Sequence, residues 1–200
     1  MNDSVKNIMI VGVGGQGSLL ASRILGHVFL EQGFDVKVSE VHGMSQRGGS
    51  VVTYIKYGDQ VFSPIIEQGE ADFLLSFEQL EAARWLPYLK KGGTMILSTQ
   101  KIDPMPVIIG AAQYPENIVS KLRQTGANLV AVDALNLAQQ AGSPKATNTV
   151  LIGILSTMMP FAKENWEAAI RELVPKKFLD LNLKAFELGR MAAAADVEMR

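Results

Sequence analysis

The sequence predicts an α/β fold, a mostly parallel sheet flanked by helices, and three observations carry that prediction. Short apolar runs alternate with segments whose apolar residues recur at helical spacing. The first of those runs leads straight into a glycine-dense turn. A chain of 200 residues is also long enough to bury one sizeable core. Residues 1–200 are therefore read as a single domain whose last stretch, 175–200, is a terminal helix.

The organising stretch is Asn7 to Gly17, NIMIVGVGGQG. Ile8, Met9, Ile10 and Val11 form a continuous apolar run, as expected of a strand buried on both faces near the centre of a parallel sheet. Gly12, Gly14 and Gly17 then satisfy G-x-G-x-x-G, which makes the domain Rossmann-like. Glycines at this spacing allow a tight turn and let a ligand or another backbone come close. The helix that follows aims its unpaired N–H groups and positive dipole end over the turn, where an anionic group would sit. The same turn also serves helix–strand packing without any ligand.

From Gly15 to Gln32, Ala21, Ile24, Leu25 and Val28 mark the buried face of a helix, while Arg23, His27 and Glu31 line another, solvated face. Gly33 closes it and Phe34 to Ser39 read as the second strand, which places Glu40 where a dinucleotide fold keeps its ribose-binding acid. The segment Glu40 to Ser50, EVHGMSQRGGS, is read as a loop at the carboxyl end of that strand. Arg47 with Gly48 and Gly49 offers a five-donor fork beside exposed backbone N–H groups, suited to phosphate or carboxylate, or to an acid on a partner subunit. His42 has no Ser or Cys nucleophile and orienting group nearby, so a catalytic triad is not supported.

Val51 to Tyr57 and Gln60 to Ser63 read as a β-hairpin insertion about Gly58-Asp59. Ala71 to Phe77 follow as a strand, Glu78 to Leu89 as a helix ended by Lys90 to Gly93, and Thr94 to Thr99 as a strand. Three prolines and Gly110 break up Gln100 to Tyr114, where MPVIIG is read as a short strand. A helix over Glu116 to Gln124, a strand over Asn128 to Val132, and helices over Ala134 to Ala141 and Ala146 to Met159 come next. Trp166 to Leu173 and Lys176 to Ala195 are the C-terminal helices, split by Pro175. The last has a wide apolar surface that packs on the chain's own core or, in isolated chains, on a second copy.

Composition excludes several classes. Charge is balanced, 19 Lys and Arg against 20 Asp and Glu, with no basic stripe to suggest nucleic acid. The absence of Cys removes thiolate chemistry and Cys-ligated iron–sulfur clusters, and two His leave little for zinc. No metal site and no catalytic residue are expected on this chain. No run reads as a signal peptide or a membrane span, so a cytoplasmic protein is expected.

Taken together, VGVGGQG at Val11 to Gly17, SEVHGMSQRGGSV at Ser39 to Val51, FSP at Phe62 to Pro64, EADFLLSFEQLEA at Glu70 to Ala82, YLKKGG at Tyr88 to Gly93, ATNTVLIG at Ala146 to Gly153 and NLKAFELGR at Asn182 to Arg190 resemble one family. It is the gamma-type subunit of the 2-oxoacid:ferredoxin oxidoreductases, and the last segment is most like the beta subunit of the indolepyruvate branch. The resemblance implies a subunit, inactive alone, of a complex that oxidatively decarboxylates a 2-oxoacid to an acyl-CoA and reduces ferredoxin. It implies that thiamine diphosphate and iron–sulfur clusters sit in a large partner subunit, and that coenzyme A reaches the interface between the two. The implied binding residues are Gly14, Gly15, Gln16 and Gly17, together with His42, Gly43, Met44, Ser45, Gln46, Arg47, Gly48 and Gly49. Those loops serve equally as a docking surface. Two rival readings stand beside this one: a self-contained NAD-dependent oxidoreductase with Glu40 on the ribose, and a non-catalytic dimeric scaffold.

Overall fold

A computed structural model of the chain describes residues 5–42 and 49–198. Among these residues six strands form one sheet: β1 (Lys6–Val13), β2 (Asp35–His42), β3 (Ser50–Gly58), β4 (Ala71–Ser76), β5 (Leu89–Ser98) and β6 (Asn128–Val132). Their spatial order is β2-β3-β1-β4-β5-β6, and β3 alone runs antiparallel to its neighbours.

Helices cover both faces of the sheet, and the side-chain period of two explains how β1 serves each. Ile8 and Ile10 pack on one face with α1 (Ser18–Glu31), α5 (Ala134–Ala141), α6 (Thr147–Ser156), α7 (Lys163–Leu173) and α8 (Leu179–Glu198). Met9 and Val11 pack on the other face, against α2 (Gln79–Trp85) and α4 (Ile118–Gln124). All four are fully buried, which is why the run carries no polar alternation. A further short helix, α3 (Met105–Ile108), lies in the connection from β5 to α4.

Much of the apolar surface of α8 packs within the chain, although its Met191 is 61% exposed. Its residues Ala185 and Phe186 are fully buried, and it crosses α6 so closely that a Cβ on Gly189 would stand 2.0 Å from the Val150 carbonyl oxygen. Glycine at the crossing is what admits the approach.

Four local expectations change. The antiparallel partners of β3 are β2 and β1, whereas Gln60 to Ser63 form no strand; Val61 is tied instead by its N–H to Asp35 Oδ2 at 2.8 Å. The second strand runs on to His42, so Glu40 is in the ladder and not in a loop. Lys90 to Gly93 belong to β5, which begins directly after the 3-10 turn that ends the α2 segment. Met105 to Ile108 are helical, since proline fits the first turn of a helix, where its missing N–H has no intrahelical role.

Candidate functional site

The carboxyl edge of the parallel strands gathers the glycine turn after β1, the start of β3 and the segments that follow β4 and β5. This is the edge at which open α/β sheets bind ligands. Its centre is Gln16. The side-chain Oε1 accepts from Val13 N–H at 2.7 Å, and Nε2 donates to the Phe77 carbonyl at 2.9 Å and to Gln100 Oε1 at 3.2 Å. One amide therefore ties the turn to the residues that follow β4 and β5.

The turn's own donors are largely committed. Gly14 N–H donates to Gly49 O at 2.9 Å and Gln16 N–H to Val13 O at 3.2 Å. Gly17 precedes α1 in the left-handed region, φ 87°, with no side-chain cap. Asn148, at the start of α6, holds it by donating from Nδ2 to Gly17 O at 3.1 Å, and an added Cβ on Gly17 would lie 2.8 Å from that nitrogen. Glycine is thus required here by both backbone and space.

Two cavities flank this hub. On the α1 side, one of about 480 Å³ is lined by Gly15, Gln16 and Gly17 with Gln100, Lys145 and Asn148 among others. Lys145 is its cation, and no carboxylate is among its described lining residues. On the α2 side, one of about 370 Å³ reaches from Val13 and Gly49 to Pro104 and Ile108 and holds Glu78, Glu81, Asp103 and Arg84.

The acids of the second cavity are structural as well as electrostatic. Glu78 is 1 % exposed and caps α2 by accepting from Glu81 N–H at 3.0 Å. It also accepts from Ile102 N–H at 3.3 Å and from the Tyr114 hydroxyl. Burial first, and that hydrogen bond second, push the Tyr114 phenol well above its ordinary range. Glu81, also buried, accepts from the Ser50 hydroxyl, from Arg84 Nε at 3.2 Å and from Trp85 Nε1 at 3.3 Å.

The expected site residues divide accordingly. Gly12, Gly14, Gly15, Gln16 and Gly17 come together at the edge, and Gly49 joins them through its carbonyl. His42 is placed by its backbone, opposite Val51. Gly43, Met44, Ser45, Gln46, Arg47 and Gly48 lie outside the described residues. Sequence reasoning passed over Gln100, Glu78, Glu81 and Lys145. Only Asn148 had been noticed, as a polar residue opening an apolar helix.

Glu40 does not reach this edge as a ribose ligand would. It pairs with Thr53, and Thr53 pairs with Ile10, so β3 stands between Glu40 and β1. Two ladder spacings amount to about 10 Å. Its Oε1 accepts from Ser22 Oγ at 2.8 Å, toward α1 and away from the turn. The geometry disfavours the NAD reading.

A family model described as pyruvate ferredoxin/flavodoxin oxidoreductase matches residues 7–192. The indolepyruvate oxidoreductase subunit IorB of Thermococcus kodakarensis is 45% identical to this chain, over 94% of the chain and 95% of the relative. The crystal structure of the gamma subunit of a keto/oxoacid ferredoxin oxidoreductase from Geobacter sulfurreducens superposes with a TM-score of 0.72 at 25% identity, covering 95% of this chain and 99% of that one. The 2-oxoglutarate:ferredoxin oxidoreductase of Magnetococcus marinus, solved with 2-oxoglutarate, coenzyme A and succinyl-CoA, shares the fold at TM-score 0.72 and 18% identity; 96% of this chain covers 31% of that one.

Proposed function

Because the chain belongs to the pyruvate ferredoxin/flavodoxin oxidoreductase family and is a subunit of a 2-oxoacid:ferredoxin oxidoreductase, we propose that it is the small, non-redox subunit of an indolepyruvate-oxidising complex. The observation that carries the substrate branch is the 45% identity, along nearly all of both chains, to IorB. Thiamine diphosphate and iron–sulfur clusters belong in this reading to a large partner subunit, in keeping with a chain that has no Cys. Ferredoxin meets the complex there, and the complex works in the cytoplasm. No helix among the described residues is long and apolar enough to cross a membrane.

Coenzyme A supplies the thiol that takes up the acyl group. The cavity on the α1 side suits part of such a ligand: about 480 Å³, the amino end of α1, and a lysine without an opposing carboxylate among its described lining residues. Lys145 and the first-turn amides of α1 would hold a phosphate, with the Gly15 to Gly17 backbone as the wall. Gln16 and Asn148 fix the shape of that wall.

The test is reconstitution. Indolepyruvate- and coenzyme A-dependent reduction of ferredoxin should appear only when this chain is purified with its large partner. Neither subunit alone should turn over. Turnover by the isolated chain, or tight NADH binding lost in Glu40→Ala, would overturn the reading.

A further inference from the structure

The connection from β5 to α4 lends little to the core: no residue from 100 to 117 is fully buried, and Tyr114 packs half-buried against the α2-side cluster. It is nevertheless firmly pinned. Glu78, itself buried, takes the Ile102 N–H and the Tyr114 hydroxyl at its two ends, and Gln79 donates from its side chain to the Thr99 carbonyl just before it. What the pinned segment presents outward is apolar: Met105 is 65%, Ile108 65% and Ile109 68% exposed. Three large apolar side chains are thus grouped on one helical turn whose flanks are fixed by half-buried hydrogen bonds, the kind of exposed patch that suits a protein interface.

The cavity beside that turn states the chemistry of the cover. Met105, Ile108, Pro104 and Pro106 form its apolar lip, while three carboxylates, Glu78, Glu81 and Asp103, meet one guanidinium, Arg84, inside. Glu78 and Glu81 are buried and already hydrogen-bonded, so they supply negative potential from within, while the exposed Asp103 carboxylate is placed to meet a cation flanked by apolar atoms. Its floor includes Val13, Gly49 and Ser50, so whatever sits here also adjoins the glycine turn. In the Magnetococcus marinus enzyme the same fold makes up about a third of a longer chain, so a domain of this kind there sits within a larger polypeptide.

We propose that the large, thiamine-bearing subunit docks on this face, placing an apolar side chain over Met105, Ile108 and Ile109 and a lysine or arginine at the mouth of the acidic cavity. The proposal rests on the subunit reading above and adds to it the surface used. Phe62, 86% exposed, follows β3 at the opposite edge of the sheet and serves as a control for mere apolar exposure.

The experiment is association of the full chain with its purified large subunit, followed by sedimentation and by ferredoxin reduction. Ile108→Asp and Ile109→Asp, made separately, should each raise the dissociation constant at least tenfold, Asp103→Asn a few-fold with a weaker salt dependence, and Phe62→Asp not at all. Their circular dichroism should match wild type, because each side chain is solvated in the free chain. Wild-type association with Ile108→Asp and Ile109→Asp both within twofold of it overturns the docking face alone. Failure of the wild type to associate overturns the subunit reading and the face together. Self-association of the isolated chain that Ile108→Asp abolishes, with large-subunit binding unchanged, assigns the face to a second copy and also overturns the proposal.

Discussion

The two cavities at the carboxyl edge of the sheet lie on either side of the end of β1, one against Gly15 to Gly17 and the other against Val13 and Gly49, and they differ in nearly everything else. The one on the α1 side is lined by glycines, amides and a lysine; the one on the α2 side by carboxylates beneath an apolar lip. The first is the kind of surface that tolerates an anionic small molecule, the second the kind that takes a protein side chain. One sheet edge thus carries two surfaces of opposite character, because different helices and connections line its two sides.

That contrast breaks first at Glu78, where the largest effect is expected. Glu78→Ala leaves the Ile102 N–H, the Glu81 N–H and the Tyr114 hydroxyl without their acceptor. The cost is about 3 kcal/mol, or a fall in melting temperature of roughly 6–12 °C for a chain of this size. Limited proteolysis between Lys101 and Tyr114 should accelerate, while any coenzyme A affinity of the assembled complex stays near wild type. Proteolysis unchanged in this variant would show that Glu78 does not pin the excursion.

The second prediction sharpens the other side. Gly17→Ala forces a Cβ onto a backbone at φ 87° and into the Asn148 amide, for a combined cost of about 2 kcal/mol read by chemical denaturation. Asn148→Ala alone gives up the bond to Gly17 O and the two that Asn148 Oδ1 accepts from Thr149, about 2 kcal/mol. In the double variant the contact part of the Gly17 penalty should vanish, leaving the backbone part, so the two costs are expected to be less than additive. Strict additivity would mean that the close approach does not matter.

How far this contrast could be read in the sequence depends on which residues carry it. The glycines of the first turn were legible, because positive φ and close packing leave few other choices. So was β1, whose four consecutive apolar residues allow no solvated face. Strand order was not: nothing in VVTYIKY says that β3 slips between β1 and β2, and that slip is what moves Glu40 away from the turn. Glu78 and Glu81 escaped notice because acids opening a helix look solvated; their burial comes from Ile102, Tyr114 and Ser50, far away in sequence. Gln16 was named for its place in the motif, while its bonds to Phe77 and Gln100 arise only when three strands end together.

The smallest expected effect tests the acidic side by pH. The Tyr114 phenol is held above its usual value of 10.0, chiefly by burial and then by its hydrogen bond to Glu78. Below about pH 10 both folded and unfolded chains keep that proton, and the hydrogen bond contributes its full share of stability. Above it the unfolded chain releases the proton first and so binds fewer protons than the folded one; stability must therefore fall as pH rises. Tyr114→Phe removes this titration together with the bond, at a cost of about 1 kcal/mol near neutrality. The stability gap between wild type and Tyr114→Phe should be constant from pH 7 to about 9.5 and shrink beyond it, as followed by denaturant midpoints across that range. A gap that stays level into the alkaline range would mean that the phenol titrates alike in both states and that the bond to Glu78 does not perturb it.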